Sequence, residues 1–133
     1  NGGVIYPAIH AGRDAMVGVA LFLSNLAHKK MKVSALKKTY PEYHIAKNRI
    51  ELSDKSLIDK ILNRLQEIFA DQDVNTVDGV KISFEEKREW VHLRKSNTEP
   101  IIRIYSEAKT EERAVALGNE VIEVAKGIIN EGV

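Results

Sequence analysis

One polar segment of the sequence carries residue types that are suited to binding a phosphate group. It runs Arg-Lys-Ser-Asn-Thr-Glu-Pro-Ile-Ile-Arg from Arg94 to Arg103, with apolar strand-like runs around it. Two hydroxyls and an amide follow one another at Ser96, Asn97 and Thr98, and the backbone N–H groups of such a turn can form an anion-binding nest. Each flanking guanidinium is a planar fork that matches two phosphate oxygens. These residues predict a phosphate-binding loop.

The same segment also permits a plainer interpretation as an ordinary turn. Ser, Asn, Thr and Pro are common turn residues, and arginines often lie on exposed strand faces. Glu99 adds a negative charge that would repel a phosphate, or it caps backbone N–H groups or holds an arginine in place. The residue types alone leave open both a phosphate-binding loop and a structural turn.

The elements that must position this loop follow a regular pattern through residues 39–133. Five strands are predicted, at residues 43–52, 74–77, 80–84, 90–95 and 101–107. Asp78–Gly79 predicts a tight hairpin between the second and third of them. One helix follows the cap Ser53–Asp54, and another begins at Thr110 with acidic residues in its first turn. The order strand, helix, four strands, helix predicts an α+β domain with an antiparallel sheet and both helices on one face.

Residues 1–38 are predicted to belong to a different domain. A helix over residues 15–30, with Asp14 at its cap, is apolar around most of its circumference and needs burial on more than one side. Val4–Pro7 is predicted as a short strand before it. Tyr40–Pro41 indicates a boundary, because proline disfavours helix in the preceding residue. One strand and one helix cannot bury such a surface, so we expect this sequence to be a piece of a longer protein.

The composition excludes several classes of function. The 133 residues suit one core of ordinary size, and 20 basic against 19 acidic residues give a net charge of +1. That balance argues against non-specific binding to nucleic acid or acidic membranes. The absence of cysteine excludes disulfides and thiolate metal sites, and no His or carboxylate spacing typical of a metal site is present. No signal peptide is visible, and the longest uncharged apolar run is shorter than a membrane span of about 20 residues.

The loop carries a motif of high specificity. Residues 94–103 read R-x-S-N-T-E-P-x-x-R, and with Glu107–Ala108 they resemble the signature of the α-D-phosphohexomutases. That superfamily includes phosphoglucomutase/phosphomannomutase and phosphoglucosamine mutase. Lys95 stands where proline is commoner in the family. The tryptophan before the loop, Trp90, and the hairpin at residues 78–81 resemble family features too.

The resemblance extends over essentially the whole chain. Residues 1–3 and 12–15 are similar to the end of the family's third domain. The resemblance implies that residues 1–38 are the end of the third of four domains and that residues 39–133 form the fourth. This fourth domain would have a TATA-binding-protein-like fold, preceded by a strand and helix remnant of an α/β domain.

The resemblance also implies an activity. A phosphoserine in the first domain gives its phosphoryl group to a sugar phosphate, and a hexose 1,6-bisphosphate forms, which also serves as activator. The second domain holds Mg²⁺ through aspartates. The expected partners are the phosphosugar and the other three domains of the same chain, with no nucleic acid and no membrane. A cytoplasmic location follows from the family's role in sugar-nucleotide supply.

The site residues implied for this chain bind the phosphate that is not being transferred. They are Arg94, Ser96, Asn97, Thr98 and Arg103. Asn1 and Gly2 are possible sugar contacts, and no catalytic or metal residue is expected here, so the chain alone should be inactive. The alternative is a non-catalytic module that binds phosphate or a nucleic-acid backbone. His10 is expected to be solvated or hydrogen-bonded locally rather than catalytic.

Overall fold

The alternating segments of the sequence form the strands of one sheet. The computed structural model describes residues 3–131, and the chain divides into unit 1, Asn1–Pro41, and unit 2, Glu42–Val133. Unit 1 contains helices α1 (Ala15–Lys29) and α2 (Val33–Lys37). Unit 2 contains, in chain order, β1 (His44–Glu51), α3 (Ser56–Ile68), β2 (Asp73–Asn75), β3 (Val80–Phe84), β4 (Glu89–Lys95), β5 (Ile101–Ala108) and α4 (Glu111–Asn130).

All five strands of unit 2 pair antiparallel in the order β1-β5-β4-β3-β2. Every second side chain of the central strands points to one face, where the fully buried residues are Ile82, Val91, Leu93, Ile102, Ile104, Ser106 and Ala108. The intervening residues lie on the opposite face, which we call the open face. Gly79 makes the turn between β2 and β3 with φ of +80°, and a Cβ there would lie 2.2 Å from the Leu93 carbonyl oxygen. Glycine is therefore required at this hairpin.

Helices α3 and α4 cover the buried face of the sheet. Their apolar stripes join the strands in one hydrophobic core, through Ile58, Ile61, Leu62, Leu65, Val121, Ala125 and Ile128. At Gly118 of α4, an added Cβ would lie 2.8 Å from the Ser106 hydroxyl, so glycine permits a close approach between helix and strand. The predicted α+β class is confirmed, with an antiparallel sheet and both helices on one face.

The predicted cap of α3 operates slightly differently from the expectation. The helix begins at Ser56, and Asp54 precedes it by two residues. The Asp54 carboxylate accepts hydrogen bonds from the Ser56 hydroxyl at 2.7 Å and the Ser56 backbone N–H at 2.8 Å. These bonds, the hydroxyl bond foremost, lower the pKa of Asp54 because they stabilise its charged form. Asp54 thus satisfies a free N–H of the first helical turn.

Unit 1 agrees with the prediction for its long helix and differs elsewhere. The Asp14 carboxylate caps α1 by accepting from the Val17 N–H at 3.0 Å, yet no residue of α1 is buried. The strand predicted at Val4–Pro7 is not formed, since Tyr6 makes only an isolated bridge with His10. A strand needs a neighbour to pair with, and Pro7 lacks an N–H to offer. Helix α2 was not predicted. Among residues 3–131, no helix is long and apolar enough to cross a membrane.

Candidate functional site

The polar segment forms a tight loop between β4 and β5, held by three backbone hydrogen bonds. The N–H of Ser96 donates to the carbonyl of Ile101 at 3.0 Å, and the N–H of Ile101 donates to Glu99 at 2.9 Å. Across the sheet edge, the N–H of Leu52 donates to the Pro100 carbonyl at 2.9 Å. The loop therefore has a defined shape that does not depend on its outward side chains.

The hydroxyls of Ser96 and Thr98 in the loop lie close together. Ser96 is buried, and its Oγ accepts from the backbone N–H of Glu99 at 3.4 Å. The Oγ1 of Thr98 lies 3.5 Å from the same Ser96 Oγ. The Ser96 hydroxyl has two lone pairs and one proton, so the bond from Glu99 leaves it able to accept once more and to donate. Because these two hydroxyls are within hydrogen-bond distance, one donates to the other and the remaining proton is available to an anion.

The two arginines of the motif lie directly opposite each other where the strands enter and leave the loop. Arg94 of β4 is the register partner of Arg103 of β5. The Nε of Arg94 lies 3.1 Å from Oδ1 of Asp78, in the turn between β2 and β3. Arg103 makes no ion pair with any residue in the range 3–131. The structure thus brings two guanidinium groups to the mouth of the loop and compensates one of them locally.

All five residues predicted to bind phosphate line one pocket of about 270 Å³. The lining residues are Arg94, Lys95, Ser96, Asn97, Thr98, Arg103 and Tyr105. The donors predicted from a linear motif therefore converge in space, and their role in binding phosphate stays a prediction. Asn1 and Gly2, the possible sugar contacts, lie outside the described residues.

Two charged residues that the sequence analysis did not single out connect the loop to α3: Asp59 within the helix and Lys55 immediately before it. The Nζ of Lys95 lies 3.0 Å from Oδ1 of Asp59, and the Nζ of Lys55 donates to the Thr98 carbonyl at 3.4 Å. These partners are far apart in sequence, and no local pattern announces them. Lys95 stands where proline is commoner in the resembling family, and here its ion pair restrains the start of the loop.

Positively charged side chains on the open face extend from the loop to strand β1. Arg49 is the register partner of Arg103, so Arg49, Arg103 and Arg94 form a row across three adjacent strands. A groove of about 550 Å³ on this side is lined by Lys47, Arg49, Arg103 and Tyr105, and by one acidic residue, Glu99. The sequence analysis missed Arg49. The only available signal was the charged alternation Lys47, Arg49, Glu51 within a predicted strand.

Other candidate side chains make local contacts. His10 accepts from the Gly12 N–H at 3.2 Å through Nδ1, in keeping with the expected local hydrogen bond. Trp90 donates to Glu107 at 2.8 Å, and the Lys81 ammonium lies 4.9 Å from the Trp90 ring centroid. Within residues 3–131, no group of three or more His, Asp or Glu side chains is placed to hold a metal ion.

Comparison with known proteins identifies relatives over nearly the whole chain. Residues 48–124 match the family described as phosphoglucomutase/phosphomannomutase, C-terminal domain. The chain is 36% identical over 129 residues to a phosphoglucosamine/phosphogalactosamine mutase of Sulfurisphaera tokodaii, which covers 96% of this chain and 28% of that protein. It is 37% identical over 130 residues to a phosphoglucomutase/phosphomannomutase of Thermococcus kodakarensis. That alignment covers 94% of this chain and 28% of the relative.

A third relative has similar coverage. A probable phosphoglucosamine mutase of Methanopyrus kandleri is 32% identical over 134 residues, which is 98% of this chain and 29% of that protein. The chain therefore spans between a quarter and a third of the length of these curated relatives.

Proposed function

Because this chain belongs to the phosphoglucomutase/phosphomannomutase family, whose C-terminal domain matches residues 48–124, we propose that it binds the phosphate of a phosphosugar for a hexose-phosphate mutase. The parent protein would interconvert hexose 1-phosphate and hexose 6-phosphate. The observation that carries the proposal is the convergence of all five predicted donors on one pocket. The family membership and the similarity to named mutases support it.

The pocket offers a phosphate dianion several kinds of donor. Arg94 and Arg103 present guanidinium forks from opposite strands, and the hydroxyl pair of Ser96 and Thr98 adds an O–H donor from the loop. Hydrogen bonds to a charged group contribute about 1.5–3 kcal/mol each when they are well formed. In the proposed complex, phosphate displaces Asp78 as the partner of Arg94, so binding exchanges one anion for another at this side chain.

This binding would serve catalysis by holding the phosphate that does not react. A grip on a remote group supplies binding energy that orients the reacting end and excludes water. The donors contact only phosphate, so the same pocket accepts the 1-phosphate or the 6-phosphate. A single loop can then act in both half-reactions of a mutase that passes through a hexose 1,6-bisphosphate.

The remaining chemistry is assigned to other parts of the parent protein. We propose that a phosphoserine there donates its phosphoryl group to the sugar phosphate and later regains one from the opposite end of the bisphosphate. Mg²⁺, which the family resemblance implies, has no fitting cluster within residues 3–131, and we assign no step to it here. The loop recognises phosphate rather than sugar, so the choice of hexose lies elsewhere.

The test is a titration of this chain with glucose 1,6-bisphosphate, followed by amide chemical shifts. We expect the shifts of residues 94–103 to move and most of the rest to stay. Arg94→Gln should raise the dissociation constant obtained from these shifts by about five-fold or more. Arg64→Gln is the matched control, because Arg64 and Arg94 are 53% and 51% exposed and each pairs with a carboxylate.

Two outcomes would contradict the proposal. One is the absence of any shift in the loop at about 5 mM ligand, a concentration that detects even weak binding. The other is equal or tighter binding of a DNA duplex in a gel shift at about 50 mM salt, which would favour a module for nucleic-acid backbones.

A further inference from the structure

We infer that strand β1 supplies Arg49 as a further phosphate-binding residue, so that the anion site extends from the loop onto the open face of the sheet. This inference rests on the proposed function of the loop. Its ligand class is a phosphate monoester dianion. The argument depends on strand register, on the distribution of ion pairs, and on two adjoining pockets.

The register places three like charges side by side. Arg49 on β1 is opposite Arg103 on β5, and Arg103 is opposite Arg94 on β4. Neighbouring strands lie about 4.8 Å apart, so these side chains leave the same face within reach of one another. Like charges directly opposite each other destabilise a sheet. The row carries an electrostatic strain that an anion on the open face would relieve.

The ion pairs leave the centre of this row uncompensated. Arg94 at one end pairs with Asp78 at 3.1 Å, and Arg49 at the other end pairs with Glu51 at 2.9 Å. Arg103 in the middle has no acidic partner among the ion pairs of residues 3–131. An anion bound at Arg103 would therefore be flanked by cations on both sides.

The pockets on the two sides of Arg103 share side chains. The loop pocket of about 270 Å³ and the groove of about 550 Å³ are both lined by Arg103 and Tyr105. Arg49, Lys47 and Glu99 line the groove. A phosphate at Arg103 therefore faces the loop donors on one side and the two cations of β1 on the other, and these cations outnumber the single Glu99 carboxylate. The Arg49 side chain is 65% exposed and can leave Glu51 for a new partner.

The experiment compares Arg49→Gln with wild type in this chain, using inorganic phosphate and glucose 1,6-bisphosphate as probes. We expect affinity for both to fall about five-fold and the melting temperature to stay the same or rise, because one repulsive charge is removed. Glu51→Gln should release Arg49 and tighten binding about two-fold. A purely structural Arg49 would instead lower the melting temperature without changing affinity.

Arg64 and Glu67 provide the matched controls. They form an exposed arginine–carboxylate pair of 2.7 Å on α3, so Arg64→Gln and Glu67→Gln should leave phosphate affinity unchanged. If Arg94→Gln weakens binding while Arg49→Gln behaves like Arg64→Gln, this inference is overturned and the proposed function stands. If wild type binds neither probe, the proposed function is overturned and this inference with it.

Discussion

Helix α1 in unit 1 and helix α4 in unit 2 have similar local signals and opposite surroundings. Both begin at a cap whose side chain accepts a backbone hydrogen bond, Asp14 from Val17 at 3.0 Å and Thr110 from Arg113 at 3.2 Å. Both are rich in apolar residues. Yet α1 buries no residue, whereas α4 buries Ala114, Leu117, Gly118, Val121, Ala125 and Ile128.

The difference shows what local signals achieve and where they stop. Caps and helix-forming residues are enough to specify a helix, because they act within a few residues of chain. Burial requires a complementary surface, and the sheet of unit 2 supplies one for α4. Met16 and Leu23 of α1 are 77% and 55% exposed in the structure. The apolar composition of α1 predicts that the helix needs burial, and within residues 3–131 no partner surface buries it.

The largest effect that tests this comparison comes from matched truncations of aliphatic side chains. Ile104→Ala in β5 should lower the free energy of unfolding by about 2–5 kcal/mol, since Ile104 is fully buried and leaves a cavity. Leu23→Ala in α1 should change it by less than about 0.5 kcal/mol. Urea denaturation followed by Trp90 fluorescence reports on unit 2 directly, because it is the only tryptophan. Equal losses of unfolding free energy for the two substitutions would contradict the expected difference between a buried and an exposed aliphatic side chain.

An intermediate effect is expected from the charge buried in unit 2. Glu89 is 9% exposed, and its carboxylate lies 2.9 Å from Nη2 of Arg113, which also pairs with Glu120 at 2.6 Å. These hydrogen bonds, that of Glu89 foremost, raise the pKa of Arg113, so its charge persists at every pH of interest. Glu89→Gln should lower the free energy of unfolding by about 1–3 kcal/mol, because Arg113 loses its buried counter-charge.

An exposed ion pair is the control for Glu89. Glu67→Gln removes a carboxylate that is 65% exposed. It should lower the free energy of unfolding by no more than about 0.5 kcal/mol. Both variants are compared by the same urea denaturation. A loss at Glu67 as large as that at Glu89 would show that burial is not the source of the effect.

The smallest effects come from the two helix caps, and they sharpen the comparison. Thr110→Ala should lower the stability of unit 2 by about 1 kcal/mol. Asp14→Ala should accelerate amide hydrogen exchange in α1 while leaving the Trp90 transition in place, since no residue of α1 is buried in the structure. A shift of the Trp90 transition by Asp14→Ala would contradict this expectation.

Much of unit 2 could be predicted because its signals are local. The strand at Val80–Phe84, the hairpin at Asp78–Gly79 and the start of α4 after Thr110 follow from alternation, turn chemistry and capping. The predicted strand at Val4–Pro7 failed because nothing within residues 3–131 pairs with it beyond one bridge. A strand is a property of two segments, and its sequence describes only one.

The candidate site also has features that depend on local sequence and features that depend on distant segments. The convergence of Ser96, Asn97 and Thr98 could be predicted because a short loop keeps its residues together. The ion pair of Lys95 with Asp59 and the register of Arg49 against Arg103 could not, because both depend on how distant segments align. Sequence patterns predict the loop and leave its surroundings undetermined.

The pairing of β1 with β5 also bears on the order in which the molecule assembles. Strands β2 to β5 follow one another along the chain and pair as neighbours, so each step closes only a short loop. Strand β1 must find β5 across all the intervening chain, a closure with a larger entropic cost. We expect the turn that carries Ser96 and Thr98 to take shape early, and the arginine row to be completed only when β1 docks.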